Sequence, residues 1–326
     1  MNVTVLGAGS WGTALARLLA LNAHTVTLWG HNAAHVAEIR RVGCNERYLP
    51  GARLPENCRL SADFDEAAGS AEAVIIAVPS KVFRAVTSLL PQRATPLVSV
   101  TKGIEGETGL TMCGILREVV ASARVATLSG PSLAEEVARE VPTAVVAASP
   151  DEPTALLVQQ LFHRPAFRVY TSCDLLGVEL GGALKNVIAI AAGVCDGLKF
   201  GDNSKAALVT RAISEIGRLG VAAGAKAETF SGLGGLGDLV VTCFSNLSRN
   251  HTLGKRLGSG ENLAEIVATM TSVAEGYPTA RSAVMLARKL NVETPIIDQV
   301  YAMLYEGKNP ARAVRDLMAR DSKPEM

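Results

Sequence analysis

The stretch MNVTVLGAGSWGTALARLLALN, residues 1–22, runs from a β-branched apolar segment into a glycine-rich turn, then into leucines at helical spacing. Val3 and Val5 sit in a short strand-like run that Gly7 closes. Gly7, Gly9 and Gly12 then follow in G-x-G-x-x-G spacing, and Leu15, Leu18 and Leu19 repeat with helical period. In that context each glycine has a task. Gly7 permits the tight turn, Gly9 lets backbone approach a pyrophosphate, and Gly12 lets the helix pack on its strand. The start of the helix offers free N–H groups to phosphate, with Ser10 and Trp11 at the loop tip where a dinucleotide would touch them. A second match, GLGGLG at residues 232–237, follows GVAAGAKAETFS, which reads as helix and turn. It lacks a preceding strand and is read as a close-packed bend.

Outward from the first loop, strand-like runs alternate with helical patterns: HTVTLWG, AVIIAVP, PLVSVTKG, ARVATLSGPS, PTAVVAAS and AFRVY. Fully apolar strands separated by helices predict an α/β doubly wound, mainly parallel sheet of Rossmann type, covered on both faces. After Tyr170 strands become rare, and long helical patterns cover residues 174–195 and 204–219. The expected division is therefore a dinucleotide-binding domain over 1–171 and an all-α domain over 172–326.

The chain has 326 residues, 48% hydrophobic and 19% charged, with a net charge of +1, which predicts a large core and no broad capture of nucleic acid. The six cysteines show no C-x-x-C spacing and read as small buried or half-buried thiols, with no metal site expected. The N-terminus enters a strand directly, without a signal-peptide pattern. The apolar run VIAIAAGVC, residues 187–195, is too short for a bilayer, so a soluble, cytoplasmic protein with no integral membrane association is expected.

The second strand tunes the cofactor. A carboxylate about twenty residues past the glycine loop would bind the ribose 2′-OH of NAD. Here the strand ends Trp29-Gly30-His31-Asn32. His31, with Arg40 and Arg41 beyond, would not repel a 2′-phosphate, so NADP(H) is allowed alongside NAD(H); His31 reads equally well as a solvated loop histidine.

Hydride transfer to a carbonyl needs a proton donor, and two lysines have apolar, small-residue surroundings. Lys102 follows PLVSVT, at the carboxyl end of a strand where open α/β sheets bind ligands. Lys185 lies in ELGGALKNVIAIAAG, on a helix apolar enough that a cation there demands a partner or ligand, unless it snorkels to solvent. SGPSLAEEV is another strand-to-helix turn, in which Ser132 and Glu135 have capping-box spacing. Ser248-Arg249-Asn250 places an arginine among small polar residues, suited to a bidentate phosphate clamp or to a solvated loop.

Taken together, GALKNVIAIAAGVCDGLKFGDN (residues 182–203) closely resembles the signature of NAD(P)-dependent glycerol-3-phosphate dehydrogenases of the bacterial soluble type. GAGSWGTALA, NERYLPGARLPEN, AVPS, TKGIE, SGPSLAEEV, GLGDLVVTC with SRN, and VAEGYPTA agree in order, nearly end to end. The resemblance implies a Rossmann domain followed by a 6-phosphogluconate dehydrogenase-like helical domain. It implies interconversion of sn-glycerol 3-phosphate and dihydroxyacetone phosphate by direct hydride transfer without metal, supplying phospholipid synthesis, and a homodimer. By the same resemblance Lys185 is the proton acceptor and donor, Lys102 binds substrate near the nicotinamide, and Asp238 meets Lys185 or the substrate hydroxyls. Gly130 and Ser132 touch substrate and Ala134 touches cofactor. Ser248, Arg249 and Asn250 hold the substrate phosphate, with Arg249 also reaching the cofactor. Val273 and Glu275 contact the nicotinamide side. Ser10, Trp11, His31 and Tyr48 line the cofactor's other end. Asn186 and Thr242 complete the substrate set. His31 departs from an arginine frequent at that position in NADPH-using relatives, which implies dual use with an NADPH lean.

Two alternatives share part of this pattern. A β-hydroxyacid dehydrogenase or ketopantoate reductase relative has the glycine loop and a helical lysine, but no reason for SRN after GLGD. A non-catalytic NAD(P)H sensor would leave Lys102, Lys185 and Asp238 idle.

Overall fold

The computed structural model describes residues 1–92, 94–270, 273–322 and 324–325. Eight strands form one sheet: β1 (Asn2–Leu6), β2 (Thr25–Trp29), β3 (Cys58–Ser61), β4 (Ala73–Ile76), β5 (Pro96–Ser99), β6 (Arg124–Ser129), β7 (Thr143–Ala148) and β8 (Phe167–Ser172). Their order is β3-β2-β1-β4-β5-β6-β7-β8. Every pairing is parallel except β6 with β7. From β1 the chain builds outward first to β2 and then, on the other side, to β4. The switch in direction therefore falls between β1 and β4, where the GAGSWG loop leaves the sheet.

Burial on both faces explains the unbroken apolar strands. Val5, Ile75 and Val98 are in register across β1, β4 and β5 and share one core with Leu15, Leu19 and Phe162. Their neighbours Leu6, Ile76 and Leu97 point the other way, into a second core with Phe83, Met112 and Leu116. β3 is the strand the sequence pattern does not announce. It lies at the sheet edge, and only Cys58 and Ser61 of its four residues are buried, so it carries no apolar run.

The contacts divide the chain into two compact units, Met1–Lys102 with Leu110–Glu179, and Gly103–Gly109 with Leu180–Met326. The division thus falls inside the helix Leu175–Gly197, hereafter the central helix, and not at residue 172; the segment 103–109 joins the helical unit. Glu179 ends the sheet unit. Its buried carboxylate accepts from Thr111 Oγ1 at 2.7 Å and from the Cys113 N–H at 2.8 Å, at the start of the helix Met112–Val119. Burial raises its pKa, against those hydrogen bonds.

The central helix corrects the expectation drawn from VIAIAAGVC. At 23 residues it is long and apolar enough to cross a membrane by length and composition. Yet 89% of its most apolar window is buried inside the fold, so protein already covers that surface. It serves as the axis of the helical unit, buried at every position from Leu180 to Cys195. Five cysteines are buried and Cys173 is exposed. Burial pushes the Cys58 and Cys243 thiols up to about 12, far from reactive thiolates.

Candidate active site

In the helical unit the residues of interest converge on one step of the central helix. Lys185 is 6% exposed, and its Nζ donates to Asp238 Oδ1 at 2.5 Å and to Thr242 Oγ1 at 2.6 Å. Asp238 is 1% exposed. Asp238 and Thr242 are four residues apart on the helix Asp238–Phe244 and so lie on one face of it. The Thr242 hydroxyl spends its own proton on the Asp238 carbonyl, at 2.6 Å, which leaves its lone pair aimed at the lysine. Lys185 is therefore a buried, paired cation and does not snorkel.

The second glycine loop explains where Asp238 stands. Leu233–Gly237 is a π-helical turn, with Gly237 N–H reaching Gly232 O at 3.1 Å. A Cβ on Gly181 of the central helix would lie 2.4 Å from Gly234 O, so glycine there lets the two backbones touch. GLGGLG is thus a packing turn that seats the start of the Asp238 helix against the central helix one turn before Lys185.

Asn186, next to Lys185, joins a buried amide chain. Gly276 N–H donates to Asn250 Oδ1 at 2.8 Å, and Asn250 Nδ2 donates to Asn186 Oδ1 at 2.9 Å. Ser248 caps the helix Arg249–Gly258 by accepting from His251 N–H at 3.2 Å. Arg249 follows the cap, exposed, and its guanidinium makes no hydrogen bond or ion pair among the described residues. Crowding by protein atoms lowers its pKa, and the charge of Glu275 opposes that shift. Glu275 is half-buried at the cap of the helix Gly276–Leu290, and Val273 is exposed just before it.

In the sheet unit, Lys102, Gly130 and Ser132 come together at the carboxyl ends of β5 and β6. Lys102 Nζ donates to Gly130 O at 3.1 Å, and Ser132 Oγ donates to the same carbonyl at 2.9 Å. The capping box expected of Ser132 is absent: the helix Ala134–Ala138 has Leu133 at its N-cap, without a side-chain bond. The serine hydroxyl turns back to Gly130 instead, whose φ of +134° only glycine adopts readily.

The GAGSWG loop fits a dinucleotide. Gly7 has φ +118°, and a Cβ there would press on Ala77 O at 2.7 Å. A Cβ at Gly9 meets nothing within 4 Å, so packing does not require that glycine. The helix Ser10–Leu21 has no side-chain cap and no acid in its first turn, the arrangement that favours phosphate. His31 is exposed after β2. Tyr48 packs edge-on against His35, centroids 5.3 Å apart, beneath the Arg47 guanidinium.

Two features escaped the sequence. Asn45, fully buried, donates to Ala8 O at 3.0 Å and to Thr13 Oγ1 at 2.8 Å, bracing the glycine loop from 32 residues beyond Thr13. A cluster of Asp196, Lys205 and His251 lies behind the SRN turn. Its members are spread over three helices, and no spacing rule joins them.

A sheet whose order begins 3-2-1-4-5-6, with G-x-G-x-x-G at its switch point and a helical unit holding a buried lysine, defines a two-unit dehydrogenase of the dinucleotide-binding class. Residues 2–155 match the N-terminal part, and residues 174–315 the C-terminal part, of NAD-dependent glycerol-3-phosphate dehydrogenase. The chain belongs to that family. It is 50% identical to glycerol-3-phosphate dehydrogenase [NAD(P)+] of Syntrophotalea carbinolica, with 100% of both chains covered. It is also 50% identical to the Geobacter metallireducens protein of the same name, covering 99% of this chain and 98% of that one. The crystal structure of glycerol-3-phosphate dehydrogenase from Coxiella burnetii superposes with a TM-score of 0.94 at 39% identity, covering 98% of this chain and 99% of that one.

Proposed function

We propose that the chain interconverts dihydroxyacetone phosphate and sn-glycerol 3-phosphate with NADPH or NADH. The observation that carries this reading is Lys185, buried and held between Asp238 and Thr242, in the same unit as Arg249, whose guanidinium makes no hydrogen bond or ion pair among the described residues. Such a lysine can place a proton at a carbonyl oxygen, and an unpaired guanidinium suits a phosphate dianion. The match to the family over both units favours this substrate over the oxoacids of β-hydroxyacid dehydrogenases and ketopantoate reductases.

The bound nicotinamide cofactor supplies or accepts the hydride. Gly7, Gly9, Ser10, Trp11 and Gly12 would hold its pyrophosphate, and His31 and Tyr48 its adenosine end. Lys102, Ala134, Arg249, Val273 and Glu275 would contact it elsewhere. In the reductive direction Lys185 donates the proton to the carbonyl oxygen; in the oxidative direction it takes the proton from the secondary hydroxyl. Asp238 and Thr242 fix the direction of the ammonium group. Lys102, Gly130 and Ser132 assist substrate binding, as do Asn186, Ser248, Arg249 and Asn250. Arg249 and Asn250 grip the phosphate, whose binding energy orients the reacting carbon.

The product would enter phospholipid synthesis, in the cytoplasm, from a homodimer; the family resemblance supports these points. A preference for NADPH is supported by the absence of a carboxylate at the end of β2. The test is loss of NADPH or NADH absorbance with dihydroxyacetone phosphate, set against carboxylate-bearing oxoacids. Turnover of an oxoacid alone would overturn the reading, and cofactor binding without any turnover would make the chain a sensor.

A further inference from the structure

The helix Arg249–Gly258 carries the proposed phosphate grip in its first turn, and three contacts act on His251, the residue just after that grip. Its N–H is capped by Ser248 Oγ. Its carbonyl lies where a Cβ on Gly193 of the central helix would come within 2.0 Å, so the two backbones are in direct contact. Its ring Nε2 sits 2.7 Å from Asp196 Oδ2, near the end of the central helix. The other oxygen of Asp196 takes the Lys205 ammonium at 2.7 Å, and that ammonium lies 5.1 Å from the Phe244 ring centroid. The His251 side chain is 2% exposed. Burial alone would raise the pKa of Asp196, but hydrogen bonds from Lys205 and His251 outweigh it and hold the carboxylate ionised.

Successive residues of a helix point about 100° apart, so two fixed side chains set the direction of a third. Asn250 is tied to Asn186, and His251 to Asp196, both on the central helix. Arg249, the residue before them, makes no hydrogen bond or ion pair among the described residues. We propose that the Asp196–His251 pair, braced by Lys205, is a positioning element that fixes the first turn of the helix Arg249–Gly258 and thereby aims Arg249 at the substrate phosphate. Asp196, His251 and Lys205 touch neither substrate nor cofactor in this scheme. The inference rests on the reading of Arg249 as the phosphate grip.

The test is calorimetric titration of inorganic phosphate into the full chain, for wild type, Asp196→Ala, Arg249→Ala and the double variant, with KM for dihydroxyacetone phosphate measured alongside. Asp196→Ala should weaken phosphate binding and raise KM by about tenfold, the scale of a slight misplacement of a binding group. In the Arg249→Ala background the same change should add less than about a twofold effect, because a coupled pair is not additive. Asp196→Asn, which keeps a hydrogen-bonding group of the same shape, should recover most of the affinity. It also serves if the alanine variant does not fold. Equal losses from Asp196→Ala in both backgrounds would overturn the proposal, since a merely structural role acts without Arg249. Unchanged phosphate affinity in Asp196→Ala or in Arg249→Ala would overturn it as well. If the phosphate pattern holds while wild type fails to turn over dihydroxyacetone phosphate, the substrate reading falls and the positioning role stands.

Discussion

Lys185 and Asp238, 53 residues apart in the chain, meet at 2.5 Å with both side chains almost wholly out of water. Two opposite charges buried together are costly to desolvate, and the pair persists only because each satisfies the other and Thr242 completes the geometry. The arrangement leaves the lysine fixed in direction, as the proposed proton transfer requires.

Lys185→Ala should lower turnover by about a hundredfold to ten-thousandfold, the usual weight of general acid–base catalysis, with NADPH affinity held within about twofold. Steady-state rates and a fluorescence titration of NADPH measure the two effects separately. Survival of turnover would remove Lys185 from the proton-transfer role.

Asp238→Ala strands the buried ammonium and should destabilise the fold by about 3–5 kcal/mol. Lys185→Met combined with Asp238→Leu replaces the pair by apolar groups. It should regain most of that stability in urea melts and none of the activity. If Asp238→Ala melts like wild type, the buried pair is not holding the site together.

Much of this was legible in the sequence. The glycine loop, the apolar strands and the switch to helices each follow a local period, and Lys185 stood out as a charge on an apolar helix. What stayed hidden depends on contacts that local pattern does not encode. β3 is an edge strand in which only Cys58 and Ser61 are buried, so its sequence reads as loop. Ser132 has the spacing of a capping box, but the backbone turn at Gly130 draws its hydroxyl away. Asn45 and His251 are single polar residues whose partners lie 32 and 55 positions away. VIAIAAGVC marks only the most apolar part of a helix whose remaining turns interleave leucines and a valine with glycines, Glu179, Lys185, Asn186 and Asp196.

The pH dependence of stability should carry a signature of Glu215. This carboxyl is buried and accepts from the N–H groups of Ile296 and Ile297 at 3.0 and 2.9 Å, where the helix Pro295–Tyr305 begins. Burial pushes it up to about 7, against those hydrogen bonds and the charge of Arg218. A carboxyl raised in the folded state contributes stability that is full below its unfolded pKa and is lost as pH rises through its folded pKa. From about pH 4.5 to about pH 7 this component falls by roughly 3 kcal/mol, at about 1.4 kcal/mol per unit. Glu215→Gln keeps an acceptor for the helix and cannot ionise. Relative to wild type it should therefore gain stability between about pH 4.5 and about pH 7 in urea melts. A constant difference between the two proteins across that range would show that Glu215 does not titrate there.

Gly9 and Gly12 should separate binding from folding. A Cβ at Gly12 would lie 1.9 Å from Gly7 O and 3.2 Å from the Ala77 Cβ, so Gly12→Ala must push the helix Ser10–Leu21 off β1. Overpacking of this kind costs about 1–3 kcal/mol, and the melting temperature should fall whether or not cofactor is present. At Gly9 the backbone is extended, with φ −83° and ψ −175°, which any residue adopts, and a Cβ meets no protein atom within 4 Å. Gly9→Ala should therefore melt within about 0.5 kcal/mol of wild type, as a substitution without a destabilising mechanism does. The methyl group would instead stand where the pyrophosphate must approach the backbone, and NADPH affinity should drop by at least about tenfold. Thermal melts without cofactor, paired with NADPH titrations, read the two consequences independently. Normal NADPH binding by Gly9→Ala would mean that the dinucleotide does not lie against this turn.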